Sequence, residues 1–252
     1  MSYRDYEPVD LQRAGFKIHQ LEGFEKDNIE NAFAGYVLKV LGKINDGKEA
    51  TVYLCRTGRD SGFTYAAAKI FKSRTFRHFD TDRNYRDFGK MRDRRLAKLM
   101  RGRGGRGDQV FHRQWVKSEW HTLNALHKLG VRVPIPIAEY DDGVLMEYIG
   151  TLDGAAPRLI DCRLDETKLK ATAEKLYHDI EIMLADDIVH GDLSPYNILY
   201  HGEPVIIDVP QAMDLRTTPK AYSMMQRDLT NLDRYFKKKK IEVRFLDLMK
   251  EI

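Results

Sequence analysis

The chain has 252 residues, with 42 Lys and Arg against 38 Asp and Glu, a formal net charge of +4. Its 42% hydrophobic content, 13 Tyr and 11 Phe exclude global disorder, and its length suits one large domain or two small lobes. Two cysteines, Cys55 and Cys162, are too few for a disulfide framework or a zinc site, so a reducing, cytoplasmic compartment is expected. No apolar run approaches the roughly 20 residues needed to span a bilayer, so no membrane partner is expected. The charged start, Met1-Ser2-Tyr3-Arg4-Asp5-Tyr6-Glu7, argues against a signal peptide.

Residues 1–35 read as a polar N-terminal extension with a short helix over Asp27–Phe33. From Tyr36 the pattern becomes β-rich. Tyr36–Ile44, Ala50–Cys55 and Phe63–Phe71 read as three strands of a meander, separated by turns at Asn45–Glu49 and Gly58–Gly62. Residues 72–112 interrupt this pattern as a flexible basic insertion. Between Lys72 and Arg106 lie 13 Lys/Arg and only 4 Asp, ending in the glycine-rich Arg101–Gly107. Apolar residues at helical spacing, Val116, Trp120, Leu123 and Leu126, predict a helix over Trp115–Leu129, capped by Gly130. Two more strands, Ile137–Tyr140 and Val144–Tyr148, flank Asp141-Asp142-Gly143. The stripe Leu169, Ala173, Leu176, Tyr177, Ile180, Met183 and Leu184 predicts a long amphipathic helix over Thr167–Asp186. Short β pieces follow at Ile198–Tyr200 and Pro204–Val209, then helices over Lys220–Phe236 and Glu242–Lys250.

The strongest chemical signal is His190-Gly191-Asp192-Leu193-Ser194-Pro195-Tyr196-Asn197, followed by Ile206-Ile207-Asp208. Phosphoryl transfer asks the protein for positioning and charge compensation rather than covalent chemistry. Asp192 can accept the proton of an attacking hydroxyl. Asn197 and Asp208 offer hard oxygen donors for Mg²⁺. The plainer alternative is a surface loop with Asp and Asn in ordinary turn roles.

Upstream residues fit the same chemistry. Lys69 follows Ala67-Ala68 on an apolar strand, where a buried ammonium needs an anion. Glu119, on the next helix, can pair with it and hold it on nucleotide phosphates. A snorkelling lysine and a solvated glutamate are the alternatives. Gly42–Lys48 matches G-x4-G-K, but Glu49 replaces the Ser or Thr of a Walker loop and a strand follows instead of a helix. A strand-turn-strand flap carrying Lys48, Glu49 and Val52 over a nucleotide fits better. Met146-Glu147-Tyr148-Ile149 reads as a hinge whose backbone would meet an adenine, with core packing as the alternative for Met146 and Tyr148.

Taken together, Gly47-Lys48-Glu49-Ala50-x-Val52-Tyr53, Lys69, His190–Leu199 and Ile207-Asp208-Val209-Pro210-Gln211-Ala212 resemble the RIO family of atypical protein kinases. The Ile-Asp-x-Pro-Gln run separates that family from other kinase-like folds. Arg227-Asp228-x-x-Asn231-Leu232-x-x-Tyr235-Phe236 resembles its C-terminal helix, and the likeness spans about 36–237. Pro195 departs from the Glu often found there.

The resemblance implies an α+β, protein-kinase-like two-lobed fold with a compact C-lobe lacking the activation segment and peptide-docking helices. The 44 residues after Asp208 leave no room for those helices. It implies an N-lobe over 36–146, a hinge over 147–150 and a C-lobe over 151–252. It implies ATP and Mg²⁺ as cofactors, with Mn²⁺ as an alternative metal. Asp192 would be catalytic. Lys69 would contact phosphates beside Glu119, and Asn197 and Asp208 would bind metal. Asp208 would also act as a transient phosphoacceptor. The expected activity is transfer of the ATP γ-phosphate to serine, including autophosphorylation, or a Mg-dependent ATPase switch, with a role in small ribosomal subunit maturation. The basic segment 72–107 would contact RNA or a ribosomal particle, or serve only as a solvated loop. Two rival functions remain: a small-molecule phosphotransferase of the aminoglycoside or choline type, and an ATP-gated ribonucleoprotein-binding factor.

Overall fold

Runs of β-branched, aromatic and alanine residues between polar turns build the first part of the molecule as a sheet. The structure is a computed structural model that describes residues 23–72, 105–151 and 153–250. Most of the N-terminal extension and residues 73–104 of the basic insertion lie outside the described residues. Helix α1 (Gly23–Ala32) precedes strands β1 (Val37–Asp46), β2 (Ala50–Thr57) and β3 (Tyr65–Phe71). Helix α2 (Gly105–Lys128), β4 (Pro136–Tyr140) and β5 (Gly143–Glu147) follow. The five strands form one sheet in the order β1-β2-β3-β5-β4.

Helix α2 begins ten residues before the expected Trp115. Gly105 and Gly107 are poor helix formers, so the apolar pattern alone starts the helix too late. Gly130 ends the run as expected: its φ is +84°, and Val131 N–H returns to the Leu126 carbonyl at 3.0 Å.

The chain divides into two compact units. Of the described residues, the first comprises 23–72, 105–117 and 137–145, and the second 118–136, 146–151 and 153–250. The stretch 118–136, placed in the N-lobe on sequence, thus groups with the C-terminal unit.

In the first unit β1, β2 and β3 are antiparallel. The β2–β3 register is unbroken from Ala50↔Phe71 to Arg56↔Tyr65, which sets Val52 opposite Lys69. Strand β1 carries three register irregularities against β2, which increase its twist. Ile29 and Phe33 pack onto Val37, Val40, Tyr53, Cys55, Ala66, Ala68 and Leu145. Each large apolar side chain buried this way contributes about 1.5–3 kcal/mol. The Cys55 thiol, enclosed in this cluster, is pushed up to about 12 by burial and is chemically inert. A Cβ at Gly143 would lie 2.7 Å from the Lys69 carbonyl oxygen, so only glycine lets β5 approach β3 here.

The second unit is built on α3 (Glu166–Ala185) and α4 (Ala221–Lys238). Asp165 caps α3 by accepting from Lys168 N–H at 2.8 Å. The expected stripe is buried, except that Tyr177 is half-buried and packs on Phe245. Three small antiparallel pairs complete the unit: β6 (Gly150–Thr151) with β7 (Gly154–Ala155), β8 (Ile188–Val189) with β11 (Met213–Asp214), and β9 (Ile198–Tyr200) with β10 (Pro204–Ile206). The helix expected over 242–250 is instead a 3-10 turn, Phe245–Lys250. The Asp233 carboxylate accepts from Phe245 and Leu246 N–H at 2.6 and 3.3 Å, satisfying the turn's first amides. Among the described residues no helix is long and apolar enough to cross a membrane.

Candidate active site

In the first unit Lys69 lies on β3 and is 9% exposed, its Nζ 5.2 Å from the centre of the Phe71 ring. The turn carrying Lys48 and Glu49 joins antiparallel β1 and β2, and closes with Gly47 N–H on the Ala50 carbonyl at 3.0 Å. A turn between two strands does not present its amides at a helix N-terminus, so it is not a Walker loop. Lys48 is exposed, and Val52 and Glu49 are half-buried.

In the second unit Glu119 lies on α2 and is 1% exposed. Where the sequence suggests a hinge, Met146 is buried. The Glu147 carboxylate is held by the Arg132 guanidinium through two bonds of 2.8 and 3.1 Å, and accepts from Ile135 N–H. Glu147 N–H in turn donates to the Ile135 carbonyl at 2.8 Å. Arg132 also reaches Glu203 at 2.9 Å, and its own carbonyl accepts from Ile206 N–H. Tyr148 donates its hydroxyl proton to the Thr151 carbonyl, and burial raises its pKa. Ile149 packs with Ala156 and Val205.

The loop 190–197 places its residues through short backbone bonds. His190 is buried. Its Nε2–H donates to the Ile207 carbonyl at 3.0 Å, and its Nδ1 accepts from Asp192 N–H at 3.3 Å. That pattern requires the neutral ring, and burial lowers the His190 pKa accordingly. Asn197 donates through Nδ2 to the Asp192 carbonyl at 2.7 Å and to Asp192 Oδ2 at 3.2 Å. The Asn197 carbonyl accepts from Ile207 N–H at 3.0 Å. Ile207 is therefore gripped on both sides, immediately before Asp208. Asp208 has φ +66°, a left-handed conformation uncommon for a non-glycine residue and concentrated at functional sites. Pro195 is buried, and its carbonyl accepts from Ile160 N–H at 3.1 Å.

With Nδ2 engaged by Asp192, the Asn197 amide oxygen is left as a hard donor, and the Asp208 carboxylate is the other the motif supplies. No cluster of three or more His, Cys, Asp or Glu able to hold a metal occurs among the described residues. One amide and one carboxylate suit Mg²⁺, which takes one or two protein oxygens and completes its shell with phosphate and water.

Helix α4 braces the loop in a way motif spacing did not show. Asp228 accepts from Gly191 N–H at 2.8 Å and from Leu193 N–H. Arg227 donates to the Gly191 carbonyl at 2.5 Å and reaches Asp192 Oδ1 at 3.4 Å. Asn231 donates to the Leu193 carbonyl. The available signal was Asp228 itself, a charged residue in the apolar stripe Met225, Leu229, Leu232.

The RIO domain family model matches residues 51–248. The RIO-type serine/threonine-protein kinase Rio1 of Thermoplasma acidophilum is 36% identical over 182 residues, covering 72% of this chain and 90% of that protein. Rio1 of Methanocaldococcus jannaschii is 29% identical, covering 99% of this chain and 83% of the relative. A crystal structure of the Rio2 kinase from Chaetomium thermophilum, described as an ADP/Mg²⁺-phosphoaspartate complex, superposes with a TM-score of 0.63 at 18% identity. It covers 97% of this chain and 74% of that one, and shows the shared kinase-like fold. A loop that holds Asp192 and Asn197 together and leads into a left-handed Asp208 thus agrees with the sequence match, and the chain belongs to the RIO family of atypical kinases.

Proposed function

We propose that the protein transfers the γ-phosphate of Mg-ATP to a serine hydroxyl, its own serines included. The observation that carries this reading is the Asp192 carboxylate, held on one oxygen by Asn197 and on the other by Arg227. The serine oxygen attacks the γ-phosphorus, the bond to the β-phosphate oxygen breaks, and the serine proton passes to Asp192. Asn197 and Asp208 would hold Mg²⁺, or Mn²⁺ in its place, and the metal would supply charge compensation on the phosphates. Lys69 would contact phosphates with Glu119 as its counter-ion. Lys48, Glu49 and Val52 would form the flap. Met146, Tyr148, Ile149 and the Glu147 carbonyl would meet the base, because Arg132 takes the Glu147 side chain and the Ile135 carbonyl takes its N–H. Residues 36–146 would serve as phosphate lobe, 147–150 as hinge and 151–252 as catalytic lobe.

A second reading is an ATPase cycle in which the Asp208 carboxylate attacks the γ-phosphorus, the bond to the β-phosphate oxygen breaks to release ADP, and water then hydrolyses the aspartyl phosphate to phosphate and the free carboxylate. The phosphoaspartate complex described for the Rio2 neighbour favours it. A role on RNA or small ribosomal particles rests on the family and on the basic segment 72–107 alone.

Purified protein with Mg²⁺ and γ-labelled ATP tests these readings, with Asp192→Asn as control. Acid-stable, hydroxylamine-resistant label that disappears in Asp192→Asn is expected for serine transfer. Hydroxylamine-labile label would move the assignment to the aspartyl phosphate. Absence of label in either protein would overturn both in favour of a small-molecule acceptor.

A further inference from the structure

The flap carries a charge that works against its assigned task. Asp46 closes the β1–β2 turn opposite Thr51, and a carboxylate there would repel a polyphosphate lying under the turn. One residue answers that charge. Lys72, the first residue beyond β3, places Nζ 2.5 Å from Asp46 Oδ1 and 2.7 Å from the Gly47 carbonyl. Its backbone N–H donates to the Glu49 carbonyl at 2.8 Å. Thr51 Oγ1 donates to the same Asp46 oxygen at 2.9 Å. A single side chain and its amide therefore hold residues 46, 47 and 49.

We propose that Lys72 is a positioning residue of the nucleotide site, a latch that neutralises Asp46 and fixes the flap turn so that it can lie against a polyphosphate. The proposal rests on the flap assignment made above. The bonds from Lys72 and then Thr51 hold the Asp46 carboxyl below its usual range. Lys43 adds only a weaker attraction to Asp46. Lys72 is distinct in role from Lys69. Lys69 is buried on β3 and would touch phosphate, whereas Lys72 acts through the turn.

The test uses the full chain and compares affinity for Mg-ATP and for adenosine, which shares the base but carries no phosphate. Lys72→Met should weaken Mg-ATP about two- to fivefold, the range of one partly exposed ion pair, and leave adenosine affinity unchanged. Lys72→Arg should retain wild-type affinity for both. The double variant Asp46→Asn/Lys72→Met should recover most of the lost Mg-ATP affinity, because the repelling charge has gone with its partner. Unchanged Mg-ATP affinity in Lys72→Met, equal weakening of both ligands, or no recovery in the double variant would each overturn the latch. Wild-type protein that binds Mg-ATP no more tightly than adenosine would overturn the flap assignment and the latch together. That outcome is separable from failure of the latch alone, in which wild type prefers Mg-ATP.

Discussion

Asp228 illustrates how one buried carboxylate organises the reactive loop. It is 3% exposed, and burial raises it to about 6 even though Gly191 and Leu193 N–H groups and the Arg227 charge favour ionisation. Asp228→Asn replaces an acceptor oxygen by an N–H group facing donors. The variant is expected to lose about 1–3 kcal/mol of stability at pH 7, read from urea unfolding. Asp192, Asn197 and Asp208 were legible as candidates because they lie at short, ordered spacings in one segment. The role of Asp228 was not, because its partner Gly191 lies 37 residues away and no local pattern encodes that contact. Glu147 teaches the same lesson. The sequence placed it in the hinge, but the Arg132 grip on its carboxylate follows only from the fold.

At the level of elements, periodicity worked where an element is long and one face is apolar. Helix α3 matches its expected span to within one residue at each end, because a stripe of seven apolar positions leaves one solution. The pairs β6–β7 and β8–β11 were not foreseen, since strands of two residues have no periodicity. The β8–β11 pair borders the loop and fixes Gly191. There φ is +82°, and a Cβ would meet the Gln211 carbonyl oxygen at 2.7 Å and Met213 Cε at 2.9 Å. Gly191→Ala is expected to cost about 1–3 kcal/mol and to lower kcat. A folded variant with wild-type turnover and melting temperature would show that the loop tolerates a side chain there. The terminal 3-10 turn has a similar lesson: its sequence suits a helix, but Asp233 on α4 satisfies its first amides in a tighter form.

Across the whole molecule, two buried groups respond to acid in opposite senses. Burial holds His190 below its usual value, so the unfolded chain takes up the proton first. Its contribution to stability is present above about pH 6.5 and is lost as the pH falls. Asp228 is raised to about 6 from an ordinary 3.8, so between those values the folded state binds the proton first. It therefore adds stability on acidification through that window. Removing Asp228 should unmask the loss from His190. Between pH 7 and 5, Asp228→Asn is expected to lose about 1 kcal/mol more than wild type, measured by urea unfolding at both pH values. Parallel pH profiles would remove Asp228 from this balance. The sequence by itself determined the family, the candidate reactive residues and the span of α3, because those depend on neighbours within a few positions. Only the tertiary structure decided the brace from α4, the Arg132 grip on Glu147, the two-residue strands and the Lys72 latch. Apart from the local β6–β7 pair, these join residues 15 to 38 positions apart, and such contacts exist only once the chain has folded back on itself.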